Sequence, residues 1–178
     1  MIDGVLMRAW KLFIRIMCLS GLMGLLGCAS TQIQSGNPLI QTNASAPHAR
    51  VYFIRPGTER YMGVADNVVD IELDQRPLLK LVKGEYVLVD LKPGVVTATV
   101  KSMTSWGPQS KIKEMSRSRD FTFDEGETYF IVISPVDGEF RGVFFLPKSV
   151  DFLTAREISK RLRAVGKAKK EPIPELDG

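Results

Sequence analysis

Histidine and cysteine are nearly absent from this chain: one His and two Cys in 178 residues. His48 is the sole imidazole, so a Ser–His or Cys–His nucleophile pair with its orienting group has little to build on. Clusters of thiolate and imidazole with metal-ligand spacing are excluded for the same reason. No Gly-rich run of the kind that cradles phosphate occurs. A membrane-spanning helix needs roughly 20 apolar residues. The uncharged run from Ile16 to Gly27 falls short of that, and Arg15 stops it from extending backwards.

What is present begins with a leader. Arg8, Lys11 and Arg15 make a basic patch, an apolar run follows, and Leu25-Leu26-Gly27-Cys28 ends it. A basic region, a short apolar region and small residues at a cut are the parts of a secretory signal. Leu-Leu-Gly-Cys resembles the lipobox of bacterial lipoproteins. That resemblance implies a diacylglyceryl group on the Cys28 thiol, cleavage before Cys28, and acylation of the new amine. Cys18 lacks a small residue before it and is the poorer candidate. In such lipoproteins an Asp after the Cys favours the inner membrane. Here the residue is Ala29, so the resemblance implies an outer-membrane lipoprotein facing the periplasm.

Processing would lower the formal charge from +4 by three bases and one acid, to +2. The excess that remains is local. From Lys148 onward eight bases face five acids, whereas Ala29 to Pro147 carries 13 bases and 14 acids. One cysteine would remain and lipid would occupy it, so no internal disulfide is expected. Covalent lipid aside, no cofactor is implied.

Composition and period divide the chain into five parts. Residues 1–27 read as the signal. Residues 28–48 are polar and uncharged, which predicts a lipidated Cys on a flexible tether of about 25 Å mean span. Residues 49–147 alternate apolar and polar between Gly and Pro turns, which predicts a small β-sandwich of about seven or eight strands. Expected strands include Val51–Ile54, Val68–Leu73, Val95–Met103 and Tyr129–Ile133. Lys83-Gly84 and Asp137-Gly138 read as hairpin tips, Lys92-Pro93-Gly94 as a turn, and Thr104–Met115 as a looser stretch.

Over 148–166 the period changes, predicting one amphipathic helix packed on the sandwich. Thr154 to Glu157 reads as a capping box, Leu153 with Ile158 as a hydrophobic staple, and Gly166 as the C-cap. Its apolar stripe would be Ala155, Ile158, Leu162 and Val165. Residues 167–178 read as a frayed charged tail.

The body from Ala49 to Ile158 also resembles a bacterial lipoprotein domain family of unknown function. The likeness is carried by Ala49-Arg50-Val51-Tyr52-Phe53-Ile54-Arg55-Pro56, Leu91-Lys92-Pro93-Gly94 and Glu125-Gly126-Glu127-Thr128-Tyr129. It implies a PEGA-like, immunoglobulin-like sandwich and supplies no catalytic residues. One departure is Asp74-Gln75-Arg76, where such domains often have Asp-Gly.

Candidate binding residues lie in two places. Trp106 with Lys111 and Lys113 offers an aromatic anchor beside cations. Arg156, Lys160 and Arg163, continued by Lys167 and Lys170, offer a basic face toward anionic headgroups or another envelope polyanion. Solvated cations near a helix C-terminus are the ordinary alternative. Asp120, Asp124, Glu125 and Glu127 are the densest acids, but their spacing fits no calcium loop. Three functions compete. The favoured one is a noncatalytic binding or accessory module on a membrane, with an envelope protein or polyanion as partner and no role for nucleic acid. The others are an envelope glycan or peptidoglycan hydrolase using carboxylates such as Asp70 and Glu72, and a structural subunit of a surface or secretion assembly docking through a sheet edge.

Overall fold

A computed structural model describes residues 30–57, 68–106, 111–137 and 143–175. The signal and Cys28 lie outside the described residues. The chain forms a mainly β sandwich with one helix near its C-terminus, as expected. Ten strands are present among the described residues: eight longer ones, and two short additions, one before and one after them. In order they are β1 Gln32–Ile33, β2 Ala49–Arg55, β3 Val68–Leu73, β4 Arg76–Val82 and β5 Glu85–Leu91. There follow β6 Gly94–Trp106, β7 Lys111–Phe123, β8 Thr128–Asp137, β9 Val143–Val150 and, after helix α1 (Phe152–Ser159), β10 Arg163–Gly166.

The first sheet runs β1-β4-β3-β6-β7 and the second β10-β5-β2-β8-β9. Neighbours are antiparallel except β2 with β8 and β10 with β5, which are parallel. Side chains of β3 alternate as read from sequence: Val69, Ile71 and Leu73 are buried while Asp70 and Glu72 face outward. They meet Val51, Phe53, Val87, Val89 and Ile131 from the other sheet. The second sheet is apolar on both faces because it is covered twice. Its outer face, with Tyr52, Ile54, Leu88 and Val132, packs against Ala155 of α1 and against Ala168 and Ile173 beyond it. Tyr129–Ile133 is thus a central strand segment, between β2 and β9.

Several expectations need correction. Described residues of 28–48 are not a loose tether. Thr31 accepts the Val82 N–H at 3.1 Å and the Gln34 N–H reaches the Leu78 carbonyl at 2.7 Å. Asn37 is buried, and its amide donates to the carbonyls of Arg76 and Pro77, each at 3.1 Å. Leu39 and Ile40 pack on the core. A polar composition conceals this because backbone pairing and amide hydrogen bonds, not apolar bulk, hold most of the segment.

Lys83-Gly84 is not a hairpin tip. β4 and β5 belong to different sheets, so this turn carries the chain across the sandwich. The Asp124-Glu125-Gly126 turn likewise crosses, from β7 to β8. Nor are the described residues of Thr104–Met115 loose, for β6 and β7 pair from Gly94↔Phe123 to Trp106↔Lys111, and residues 107–110 lie outside those described. Thr, Ser, Lys and Arg fill that hairpin and blur its period. The β8–β9 pairing is antiparallel as expected, but it resumes at Asp137↔Val143, and the intervening residues lie outside those described.

The C-terminal helix is shorter than predicted. Lys148–Val150 end β9, α1 stops at Ser159, and Arg163–Gly166 is β10 rather than helix. Asp151, not Thr154, is the N-cap. Its carboxylate accepts the Thr154 N–H and hydroxyl, each at 2.8 Å, and the first of these bonds holds its pKa below the usual value. Leu153 is 62% exposed and forms no buried staple. Gly166 ends a strand with φ +58°, not a helix. Ala155, Ile158 and Leu162 do pack together, while Val165 turns to the inter-sheet core. The tail is docked as far as described: Lys167–Lys169 make a 3₁₀ turn, and Ala168 and Ile173 are buried.

The Asp74-Gln75 turn joins β3 to β4 with both residues at positive φ, 48° and 63°. Asp74 compensates by accepting the Thr97 N–H at 2.9 Å, tying the turn to β6. Gln75→Gly should therefore stabilise by about 0.5–1 kcal/mol, read as a higher urea midpoint at unchanged slope.

Candidate binding surface

The strand registers set the two ends of the sandwich apart. At the upper end lie the last residues of β2, β4, β6 and β8, the first of β5, β7 and β10, and the C-terminus of α1. At the lower end lie the Asp74-Gln75, Lys92-Pro93 and Asp124-Gly126 turns. The upper end carries Lys83, Lys111, Lys113, Lys160, Arg161 and Arg163, with Arg55 beneath them. Among the described residues four acids share it, Glu85, Glu114, Asp137 and Glu157, and Glu157 pairs with Lys160 at 2.5 Å. The lower end carries Asp74, Asp124, Glu125 and Glu127 against Arg50, Arg76 and Lys92. Among the described residues the cations of the upper end therefore outnumber its acids, and the acids of the lower turns outnumber the cations beside them.

The predicted basic residues are only partly gathered. Lys111 and Lys113 open β7, Trp106 ends β6 opposite Lys111, and Lys160 caps α1. Arg163 shares this end through its pairing with Glu85. Lys167 and Lys170 do not join them. Lys167 bonds Asp90 at 2.5 Å, farther down β5. Arg156 sits in α1, and its buried Nε lacks a hydrogen-bond partner. One continuous basic helix face does not exist, because the chain leaves the helix after Ser159.

Sequence reasoning passes over the polar plug under the upper end. Arg55 and Glu85 face each other across β2 and β5 and are 1% and 2% exposed. Arg55 donates to the Leu81 carbonyl at 2.8 Å, and its guanidinium lies 4.9 Å from the Phe145 ring centre. Glu85 accepts from the Thr31 hydroxyl and from Arg163. A charged residue in an apolar alternation was the available signal, since Arg55 continues the inward face of Val51 and Phe53.

This plug changes what charge removal should do. Neutralising Lys160, Arg163, Lys167 and Lys170 together looks harmless if all four are solvated. However, Arg163 partners a buried carboxylate and Lys167 a half-covered one. Arg163→Ala alone should cost about 1–3 kcal/mol, the penalty of a buried acceptor losing a partner, whereas Lys170→Ala should cost almost nothing. Equal urea midpoints for the two variants would disprove the assignment.

Grooves also lie elsewhere. One of about 350 Å³ on the outer face of the first sheet is lined by Asp70, Glu72, Lys80, Lys101 and Glu114. Two of its three acids are engaged: Asp70 with Lys80 at 3.1 Å, Glu72 with Lys101 at 2.7 Å. The hydrogen bond to Glu72 raises the Lys101 pKa, so that cation stays charged beside it. A second groove of about 560 Å³ runs between α1 and the C-terminal segment, over Tyr86, Leu162 and Ile173. Burial pushes the Tyr86 hydroxyl up. Asp124 is held by the Tyr129 hydroxyl and Asp120 by that of Thr97. Among the described residues no three His, Cys, Asp or Glu side chains are placed to share a metal ion, and no helix is long and apolar enough to cross a membrane.

Comparison with known proteins found no matching family model, no similar curated protein and no similar solved structure.

Proposed function

We propose that this chain is an envelope lipoprotein, held in a membrane by acyl chains on Cys28, whose sandwich is a noncatalytic binding or accessory module. The leader ending Leu25-Leu26-Gly27-Cys28 carries the reading, with the folded body beginning only three residues later at Thr31. Ala29 after the Cys favours the outer membrane. The body supports binding over catalysis because the inter-sheet space is packed with side chains and Asp70 and Glu72 of the charged groove are paired with lysines. General acid–base work on a glycan needs two carboxyl groups of divergent pKa facing the bond, and these two are salt-bridged instead.

One observation favours a second reading, a subunit of a surface assembly. β7 is an edge strand, pairs only with β6 among the described residues, and exposes ten of its 13 residues. Long open edges invite a further strand. Lys111, Lys113, Arg117 and Arg119 outnumber Glu114 and Asp120 on this one, which discourages pairing with itself and selects an acidic partner.

The test is photo-crosslinking from Ser116 in intact envelopes, followed by detergent extraction. A discrete crosslinked partner is expected. An uncrosslinked protein that cleaves glycan, and loses that activity in Glu72→Gln, would replace the binding module with a hydrolase.

A further inference from the structure

The N-terminal segment enters the fold at the upper end alone. Thr31 lies against Val82 and Glu85, and β1 then descends alongside β4. Cys28 precedes Thr31 by three residues, which span at most about 11 Å fully extended. A bilayer with its headgroups is about 40–45 Å thick around a core of about 30 Å, leaving each headgroup layer about 5–8 Å. A link this short barely clears that layer. A body so attached cannot stand off or tumble freely.

We propose that the upper end of the sandwich rests on anionic lipid headgroups, presenting Lys111, Lys113, Lys160 and Arg161 to their phosphates. This rests on the lipid-anchor reading above and adds an orientation to it. Three independent features agree. The attachment point is at this end. Among the described residues the excess of cations is at this end and the acidic turns are at the far one, so an anionic surface attracts one pole and repels the other. The third feature is the β6–β7 hairpin. Asp70 pairs with Lys101, so the start of β3 lies level with Met103, and β6 runs on for three more residues, about 10 Å. Its projecting part has two unlike faces. Ile112, 60% exposed, lies on one, with Met103, 45% exposed, and its partner Glu114 at the base of that face. Lys111 and Lys113 lie on the other. Such a strand end suits an interface, with apolar groups toward acyl chains and lysine stems extending back to phosphates.

A soluble polyanion could meet the same cations, but the short link commits them to the membrane. The protein's own chemistry supplies the test. With Cys28 acylated and Cys18 removed with the leader, an introduced cysteine is the sole thiol. Full-length protein purified from membranes is labelled with an environment-sensitive fluorophore at Ser105→Cys (upper end) or Glu125→Cys (lower end). It is then reconstituted into phosphatidylcholine vesicles containing phosphatidylglycerol and a headgroup spin label. The Ser105 probe should be quenched several-fold more than the Glu125 probe. Combining Lys111→Glu, Lys160→Glu and Arg161→Glu should bring the two near parity while the acylated mass is retained. Equal quenching in unsubstituted protein, or a difference that pure phosphatidylcholine preserves in full, overturns the docking and leaves the anchor intact. A mass without acyl chains overturns both.

Discussion

Cys28→Ser should abolish palmitate labelling and leave a precursor that still carries residues 1–27. The effect is expected to be all or none, because each step depends on the one before. A thiolate alkylates readily where a serine hydroxyl does not, and the cut before a lipobox cysteine follows the alkylation. Gly27 leaves room at the cut, and no other mature thiol can substitute. One acyl chain would bind a membrane only reversibly, at about 0.8 kcal/mol per buried CH₂. Two or three make attachment effectively permanent, so the unlipidated variant should also lose its lasting hold unless the uncleaved leader retains it. Pulse labelling with palmitate and intact-mass measurement read the two losses separately. A variant cut at the same bond and still labelled would end the lipoprotein reading.

Ending the chain after Lys160 should produce a protein that fails to fold or aggregates. The missing residues include β10, which pairs with β5 over Arg163↔Glu85 to Gly166↔Leu88. They also include Ala168 and Ile173, which cover the outer face of the second sheet around Tyr52 and Tyr86. Three polar ties go with them: Arg163 to Glu85, Lys167 to Asp90, and Glu171, whose carboxylate meets Arg50 at 2.6 Å and whose carbonyl accepts the Tyr52 hydroxyl at 3.0 Å. A gentler version isolates the packing. Ile173→Ala removes a buried side chain and should cost about 2–5 kcal/mol in urea unfolding. Leu162→Ala should cost less than that, since Leu162 is only half-buried. A truncated chain with full stability would mean that the segment merely lies on the surface.

These expectations differ from a reading of the sequence alone, and the reasons are physical. The sandwich was legible because β3, β5 and β8 announce themselves by alternation or by apolar runs, and because Pro-Gly and Asp-Gly pairs mark where strands end. The helix start was legible to within a few residues, since Asp151, Thr154 and Glu157 all suit a first turn. Its end was not. Ala164 and Val165 fit a helical stripe as well as a short strand, and only the neighbouring β5 decides between them. Polar segments were misjudged most. Gln32, Asn37, Thr31 and the Ser/Arg alternation of β7 have no hydrophobic period, yet backbone pairing fixes each. Of the candidate surface, the individual cations could be named, but their division between two ends depends on which strands are parallel. Glu85 could not be found at all, because its burial comes from residues up to 78 positions away.

The two parallel pairings also govern how the chain reaches this structure. Arg50 opposes Thr128, and Glu85 opposes Arg163, a separation of 78 residues in each case. Arg50 and Glu171 are 121 apart. Closing such long loops costs entropy before any contact repays it, and folding rates fall as the mean separation of contacts rises. For a chain that emerges N-terminus first, β2 must wait for β8, and β5 for nearly the final residues. The second sheet therefore assembles late and slowly, with both flanks of the β2–β5 pair open meanwhile to wrong partners, and a nascent chain of this design benefits from being kept unfolded until its last strand is available.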